Sequence, residues 1–254
     1  MIDILSDLAR RAGDITLKYF QNPDLAVEAK ADESPVTVAD RETERFLRDE
    51  IERLFPGDAV MGEEFGEDKG TGAAGGRRWI VDPIDGTKSF VHGVPIYGVM
   101  IGVEEAGEMI AGAVFIPPMN ELVVAARGKG CWWNGRRAAV SKTARFSDAL
   151  LLTTDIRNNH KHGKGPSWER LSGAARLVRT WGDCYGHILV ATGRADVMVD
   201  PVMNPWDCAA LLPILEEAGG TFTDYTGRAT VWGADAISTN GLLRDEVMAM
   251  VAEA

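Results

Sequence analysis

Apolar residues at Leu5, Leu8, Ala12, Ile15 and Tyr19 recur at steps of three and four, which predicts an amphipathic helix. Phe46, Leu47, Ile51 and Leu54 form the apolar face of a second helix. Thr37, with Asp40 three residues later, resembles a capping box at its start, and Pro56-Gly57 ends it. Val60-Met61 predicts a short strand ending at Gly62-Glu63-Glu64. The glycine-rich, charged stretch 66–76 predicts an exposed loop. Trp79-Ile80-Val81-Asp82 predicts a strand running into a turn. Stretches 97–103 and 109–116 predict a hairpin, and 121–126 continues the meander. Asn134-Gly135, inside 132–137, is a strong hairpin-turn signal.

The second half alternates. Strands are predicted at 150–154, 196–199, 221–223 and 237–239, and helices at 168–177, 185–192 and 205–218, with a last helix closing the chain. The polar stretch 158–166 predicts a mobile connection, and Gly219-Gly220 a helix stop. The change near residue 145 predicts two subdomains, 1–145 and 146–254, sharing one site.

With 254 residues, 45% hydrophobic and 26% charged, the chain has ample apolar surface for a core. A net charge of −11 argues against a nucleic-acid partner. It does not exclude an anionic substrate, because bound divalent cations reverse the local sign. Cys131, Cys184 and Cys208 form no CxxC pair, so a disulfide framework or zinc ribbon is not expected and a reducing cytoplasm fits best. No signal peptide is expected from the first residues, and no apolar run reaches membrane-span length. Among the histidines, His160 and His162 sit in the polar loop and His187 inside a helix, where packing is the expected role.

The strongest chemical signal is Asp82-Pro83-Ile84-Asp85-Gly86-Thr87. Pro83 and Gly86 turn the chain between and after two carboxylates. Such a turn can aim both carboxylates and a freed carbonyl at one point, and these are the hard oxygen ligands that Mg2+ prefers. A solvated Asp in a turn is the ordinary alternative. Glu63 and Asp207 also stand at the ends of apolar segments. Alone, Glu63 reads as a solvated loop residue and Asp207 as a helix-start residue favoured by the dipole. Spacing leaves open whether the segments converge.

The chain resembles the inositol-monophosphatase-like family of metal-dependent phosphatases. The resemblance rests on Trp79 through Thr87, on Trp206-Asp207-Cys208-Ala209-Ala210 leading to Glu217-Ala218-Gly219-Gly220, on Gly62-Glu63-Glu64, and on Ser34-Pro35-Val36-Thr37-Val38-Ala39-Asp40, in the family's order. It implies an α/β (α+β) fold, a layered α-β-α-β-α sandwich of the inositol monophosphatase and fructose-1,6-bisphosphatase type, usually a homodimer. It implies two to three Mg2+ ions. Glu63, Asp82 and the Ile84 carbonyl would hold the first, and Asp82, Asp85 and Asp207 the second, with a third, largely hydrated, near Glu63. Thr87, backed by Asp40, would orient the attacking water, and Asp85 with the Gly86 and Thr87 amides would border the phosphate.

Arg179-Thr180-Trp181-Gly182-Asp183-Cys184-Tyr185 and the stretch from Asp200 to Asp207 resemble the histidinol-phosphate phosphatase branch, as does Gly86-Thr87-Lys88-Ser89-Phe90. Inositol-type members usually carry Glu where Asp200 stands. Asp183 and Asp200 together suit a cationic group, and histidinol phosphate carries an ammonium and an imidazole. Asp183 is equally suited to cap the following helix, and Asp200 also fits a turn before Pro201. Arg179 suits a structural ion pair as well as a substrate contact, and Asn240 suits a helix cap as well as the site. Three readings follow: a cytoplasmic histidinol-phosphate phosphatase of histidine biosynthesis, a broader inositol- or sugar-phosphate phosphatase, and a non-catalytic divalent-metal-binding protein.

Overall fold

The computed structural model describes residues 1–29, 35–71 and 76–252. The chain runs α1 (Ile2–Leu17), β1 (Val27–Ala29), β2 (Pro35–Thr37), α2 (Val38–Leu54), β3 (Ala59–Gly62), β4 (Gly66–Asp68), β5 (Arg77–Asp85) and α3 (Thr87–Val91). A meander follows: β6 (Gly98–Glu105), β7 (Glu108–Ile116), β8 (Glu121–Ala126), β9 (Gly130–Trp133) and β10 (Arg136–Arg137). Next come β11 (Leu150–Leu152), α4 (Ile156–Lys161), α5 (Gly165–Ala174), β12 (Leu177–Arg179), α6 (Asp183–Ala191) and β13 (Val197–Asp200). The last elements are α7 (Pro205–Ala209), α8 (Leu211–Glu217), β14 (Thr221–Thr223), β15 (Ala236–Thr239) and α9 (Arg244–Ala252).

Two sheets organise the molecule. The larger runs β10-β9-β8-β7-β6-β5-β3-β4, antiparallel except where β3 lies parallel to β5. The smaller runs β12-β11-β13-β15-β14, with β11 parallel to both β12 and β13. Strand alternation assigns the faces. Trp79 and Val81 pack with Leu5 and Leu8 of α1 and Leu47 and Ile51 of α2. Ile80 between them packs the other way, with Leu189 of α6, Ala209 of α7 and Leu211 of α8. Leu150 and Leu152 join that central layer, whereas Leu151 joins Leu171 of α5 and Val247 of α9. The result is the α-β-α-β-α sandwich expected from the resemblance, with apolar residues filling each interface between layers.

Two glycines set how closely α7 approaches the large sheet. A methyl group on Gly102 would lie 2.6 Å from Cβ of Ala209, and one on Gly112 only 2.2 Å from the Ala210 carbonyl oxygen. Glycine at both positions lets the α7–α8 junction rest on the strands, and α7 carries Asp207.

Four local expectations need correction. Residues 66–68 form β4, because hydrogen bonding to β3 outweighs their polar composition; residues 72–75 lie outside the described residues. The stretch 158–166 is largely helical: Asp155 caps α4 by accepting from the Arg157 N–H, and buried Asn159 anchors it to Thr153. The helix expected at 168–177 ends at Ala174, and Leu177 starts an edge strand beside β11. The helix expected at 205–218 is two helices. Pro213 has no N–H for the Ala209 carbonyl, so the ladder breaks there.

Candidate active site

β5 ends beneath a cleft of about 420 Å³. Asp82 and Asp85 are three apart, so a regular strand would send them to opposite faces. Pro83 cannot donate to the ladder, and pairing with β6 shifts register between Asp82 and Asp85. The Asp82 carboxylate accepts the Ile84 N–H at 2.9 Å, which tightens the irregular turn. The strand therefore runs further than expected, and its irregular end brings both acids to one side.

Asp207 arrives from the other half of the chain. Pro205 opens α7, and the Asp207 carboxylate accepts the Asn204 N–H at 2.7 Å. Carboxylate oxygens of Asp82, Asp85 and Asp207 all lie within 4.8 Å of one another. At an effective dielectric of 20, two charges at that spacing repel by about 3 kcal/mol, so the ionised cluster needs a counter-cation. Burial first, then Glu63, Asp85 and Asp207, holds the Asp82 carboxyl well above its usual range. Burial first, then Asp183 and Asp207, does the same to Asp85. Burial raises Asp207 to about 7, against the hydrogen bond from Asn204.

Glu63 lines the same cleft, because β3 runs parallel to β5 and sets Gly62 beside Val81. Its loop is held by a residue that sequence reasoning passed over. The fully buried Glu44 carboxylate accepts the N–H groups of Glu64 at 2.7 Å and Phe65 at 3.2 Å. A methyl on Gly62 would strike that carboxylate at 2.2 Å. An acid in register with Leu47 and Ile51, on the buried face of α2, is the signal that could have found it.

The donor set fits a hard divalent cation. Its groups are carboxylates, and Ile84 stands beside them in the cleft lining. Cys184, beside Asp85, is held as a neutral thiol by burial and by the acids around it.

The Thr87 hydroxyl donates to the Ile84 carbonyl at 3.0 Å. Asp40 takes its hydrogen bonds from the N–H and hydroxyl of Thr37 at 2.8 and 2.6 Å, completing the capping box of α2. Burial raises its pKa to about 6. Thr87 and Asp40 thus each have another partner here. Ser34 lies outside the described residues.

Asp183 and Asp200 line the same cleft, Asp183 against the Gly86 turn. Asp183 is the first residue of α6 and has φ +54°, a left-handed conformation. Its side chain caps nothing. It lies 2.9 Å from where a Gly86 Cβ would sit, and Gly86 itself has φ +82°. Asp183 is pushed up to about 6 by burial and Asp200, against Lys88 and Ser89. Arg179 lies outside the cleft lining on edge strand β12, exposed, its guanidinium donating to the Val178 carbonyl at 2.7 Å. Asn240 is also away from the cleft: it accepts the Leu243 N–H and donates to Ser141 and Thr143.

A larger groove of about 990 Å³ runs between α1 and the β8–β9 edge. It holds no clustered carboxylates among the described residues, so size does not locate the chemistry. No helix of the described residues is long and apolar enough to cross a membrane.

Known proteins match this arrangement along the whole chain. A histidinol-phosphatase of Chlorobaculum parvum is 45% identical over 98% of this chain and 96% of its own length. A histidinol-phosphatase of Mycobacterium tuberculosis is 39% identical, covering 95% and 94%. The solved structure of an IMPase from Thermotoga maritima superposes with a TM-score of 0.86 at 35% identity, covering 99% of this chain and 96% of that one. Residues 1–253 match the Inositol monophosphatase family. With its acids gathered at the β5 end and relatives of this kind on every side, the chain belongs to the inositol monophosphatase family and is a phosphoric monoester hydrolase.

Proposed function

We propose that this enzyme hydrolyses histidinol phosphate to histidinol and phosphate with the aid of two to three Mg2+ ions. The observation that carries the substrate is the placement of Asp183 and Asp200 in the same cleft as the Asp82–Asp85–Asp207 cluster. The cluster suits a cation-bridged phosphate dianion, and the two further acids suit an organic cation. The names of the two histidinol-phosphatases support the same reading.

Glu63, Asp82 and the Ile84 carbonyl would hold one ion, Asp82, Asp85 and Asp207 a second, and Glu63 a hydrated third. When bound, such ions neutralise the phosphate, lower the pKa of water and stabilise the departing oxygen. The chain's own groups do the rest. The Gly86 and Thr87 amides, with Asp85, border the phosphate. Thr87 Oγ1 turns from the Ile84 carbonyl to hold the attacking water, and Asp40, with a pKa near 6, is suited to receive its proton through Thr87. Glu63 assists from the facing loop. The water oxygen would bond to phosphorus as the ester P–O bond breaks; the water's proton would pass through Thr87 to Asp40 and on to solvent, and the departing histidinol oxygen would take a proton from solvent water. Asp183 and Asp200 face the ammonium and imidazole.

Residues 1–145 and 146–254 act as two subdomains around this one site. Three unpaired, buried cysteines support a reducing cytoplasm, and the family resemblance supports a homodimer. The test is Mg2+-dependent phosphate release from histidinol phosphate and inositol 1-phosphate, side by side. Preference for histidinol phosphate is expected. Preference for inositol phosphate would overturn the substrate and leave a broader sugar-phosphate phosphatase.

A further inference from the structure

Asp183 and Asp200 come from different elements, yet one hydroxyl joins them. β11 pairs parallel with β13, Leu152 opposite Met198, so Thr154, two residues on, stands beside Asp200. The Thr154 N–H donates to Asp200 Oδ1 at 3.0 Å, and the Thr154 hydroxyl donates to Oδ2 at 2.8 Å. That hydroxyl has a single proton, so its lone pairs are left to accept. One of them takes the Asp183 N–H at 2.8 Å, at the start of α6. Contact between the strand end and this helix start is tight, since a methyl on Gly182 would lie 2.4 Å from Thr154 Cα. Asp183 meanwhile holds a left-handed backbone that a non-glycine residue rarely adopts.

Asp200 is also backed from the core. Fully buried His187, one turn along α6 from Asp183, places Nε2 at 3.5 Å from Asp200 Oδ2. Its Nδ1 lies 2.7 Å from the Ser238 hydroxyl on β15, whereas Nε2 has no hydrogen bond. Asp200 is therefore held by Thr154, with the His187 ring close behind it, and it lines the cleft.

We propose that Thr154 is a positioning residue for substrate selection: one hydroxyl fixes the Asp200 carboxylate and the Asp183 backbone in a single arrangement. The inference rests on the reading that these two acids receive the cationic end of the substrate. Thr154 touches neither the phosphate nor the acidic cluster in this scheme. Removing its hydroxyl leaves Asp200 held by the Thr154 N–H alone and leaves the Asp183 N–H without its acceptor, so recognition of a cation suffers before hydrolysis does.

The experiment compares wild type, Thr154→Val, Thr154→Ser and Asp200→Asn on histidinol phosphate and on glycerol 2-phosphate, which has no cationic group. Thr154→Val should lower kcat/KM for histidinol phosphate by about tenfold, through KM, while glycerol 2-phosphate loses less than about threefold. Thr154→Ser restores the hydroxyl and should recover the preference. If Asp200→Asn loses the preference while Thr154→Val keeps it, the positioning role is wrong and the two-acid reading stands. If Asp200→Asn keeps the preference, the two-acid reading falls and the inference falls with it. Equal loss on both esters in Thr154→Val would mark a general structural role and overturn the proposal.

Discussion

At the β5 end of the cleft, Asp82, Asp85 and Asp207 face one another; at the β13 end, Asp200 faces donors. The first group is crowded within 4.8 Å, Asp82 buried and Asp85 and Asp207 half-buried, and held above its usual pKa range. In the second, Asp200 is held by the Thr154 N–H and hydroxyl, the same hydroxyl takes the Asp183 N–H, and Asp183 is raised to about 6 by burial and by Asp200. Crowded carboxylates, each with one backbone N–H but no cationic partner among the described residues, call for a small, doubly charged cation that several of them share. Asp200, held by its two donors, is pre-oriented, and the proposed reading gives it and Asp183 a larger organic cation. In the proposed reading the same residue type serves reaction in the cluster and selection at Asp183 and Asp200, according to what surrounds it.

Asp82→Asn breaks the contrast most severely. It removes a carboxylate shared by both proposed ion sites, so turnover should fall by at least about a thousandfold while the fold persists. Phosphate release and circular dichroism check the two halves; near-normal activity would refute the assignment. Glu44→Gln acts one step back. It exchanges an acceptor that holds the Glu64 and Phe65 N–H groups for a mixed amide, and Mg2+ affinity by calorimetry should weaken about 10- to 100-fold. Asp200→Asn touches only selection. It should cost about tenfold in kcat/KM on histidinol phosphate and far less on an uncharged ester.

The smallest effect concerns stability without metal. Asp207 holds its proton to about pH 7 in the folded chain, above the carboxylate value of an unfolded one. Its contribution to stability is therefore fully present below about pH 4 and is lost as pH rises through about 7. In chelator, Asp207→Asn should gain on wild type by about 1–2 kcal/mol between about pH 5 and about pH 8, and saturating Mg2+ should reverse that order. Urea denaturation at both pH values measures it.

Much of this contrast was legible in the amino-acid sequence, but unevenly. Amphipathic spacing located α1 and α2, and the Thr37–Asp40 box marked the start of α2. Turn signals separated β6 through β10. β4 was hidden because it depends on pairing with β3, and α4 because its cap and its buried Asn159 lie within a polar run. The acidic cluster was readable because Asp82 and Asp85 sit in one short motif and Asp207 in another. Glu44 and Thr154 were not, because each acts on a backbone or carboxylate group 20 to 46 residues away. Arg179 differs: it lies in the stretch that resembles the histidinol-phosphate branch, and its guanidinium donates to the Val178 carbonyl while its neighbour Thr180 lines the cleft.

The most direct test of the account is phosphate release from histidinol phosphate by chelator-treated enzyme, before and after titration with Mg2+. The account predicts background release in chelator and full recovery as Mg2+ fills the Asp82–Asp85–Asp207 cluster. Undiminished release in chelator would contradict it.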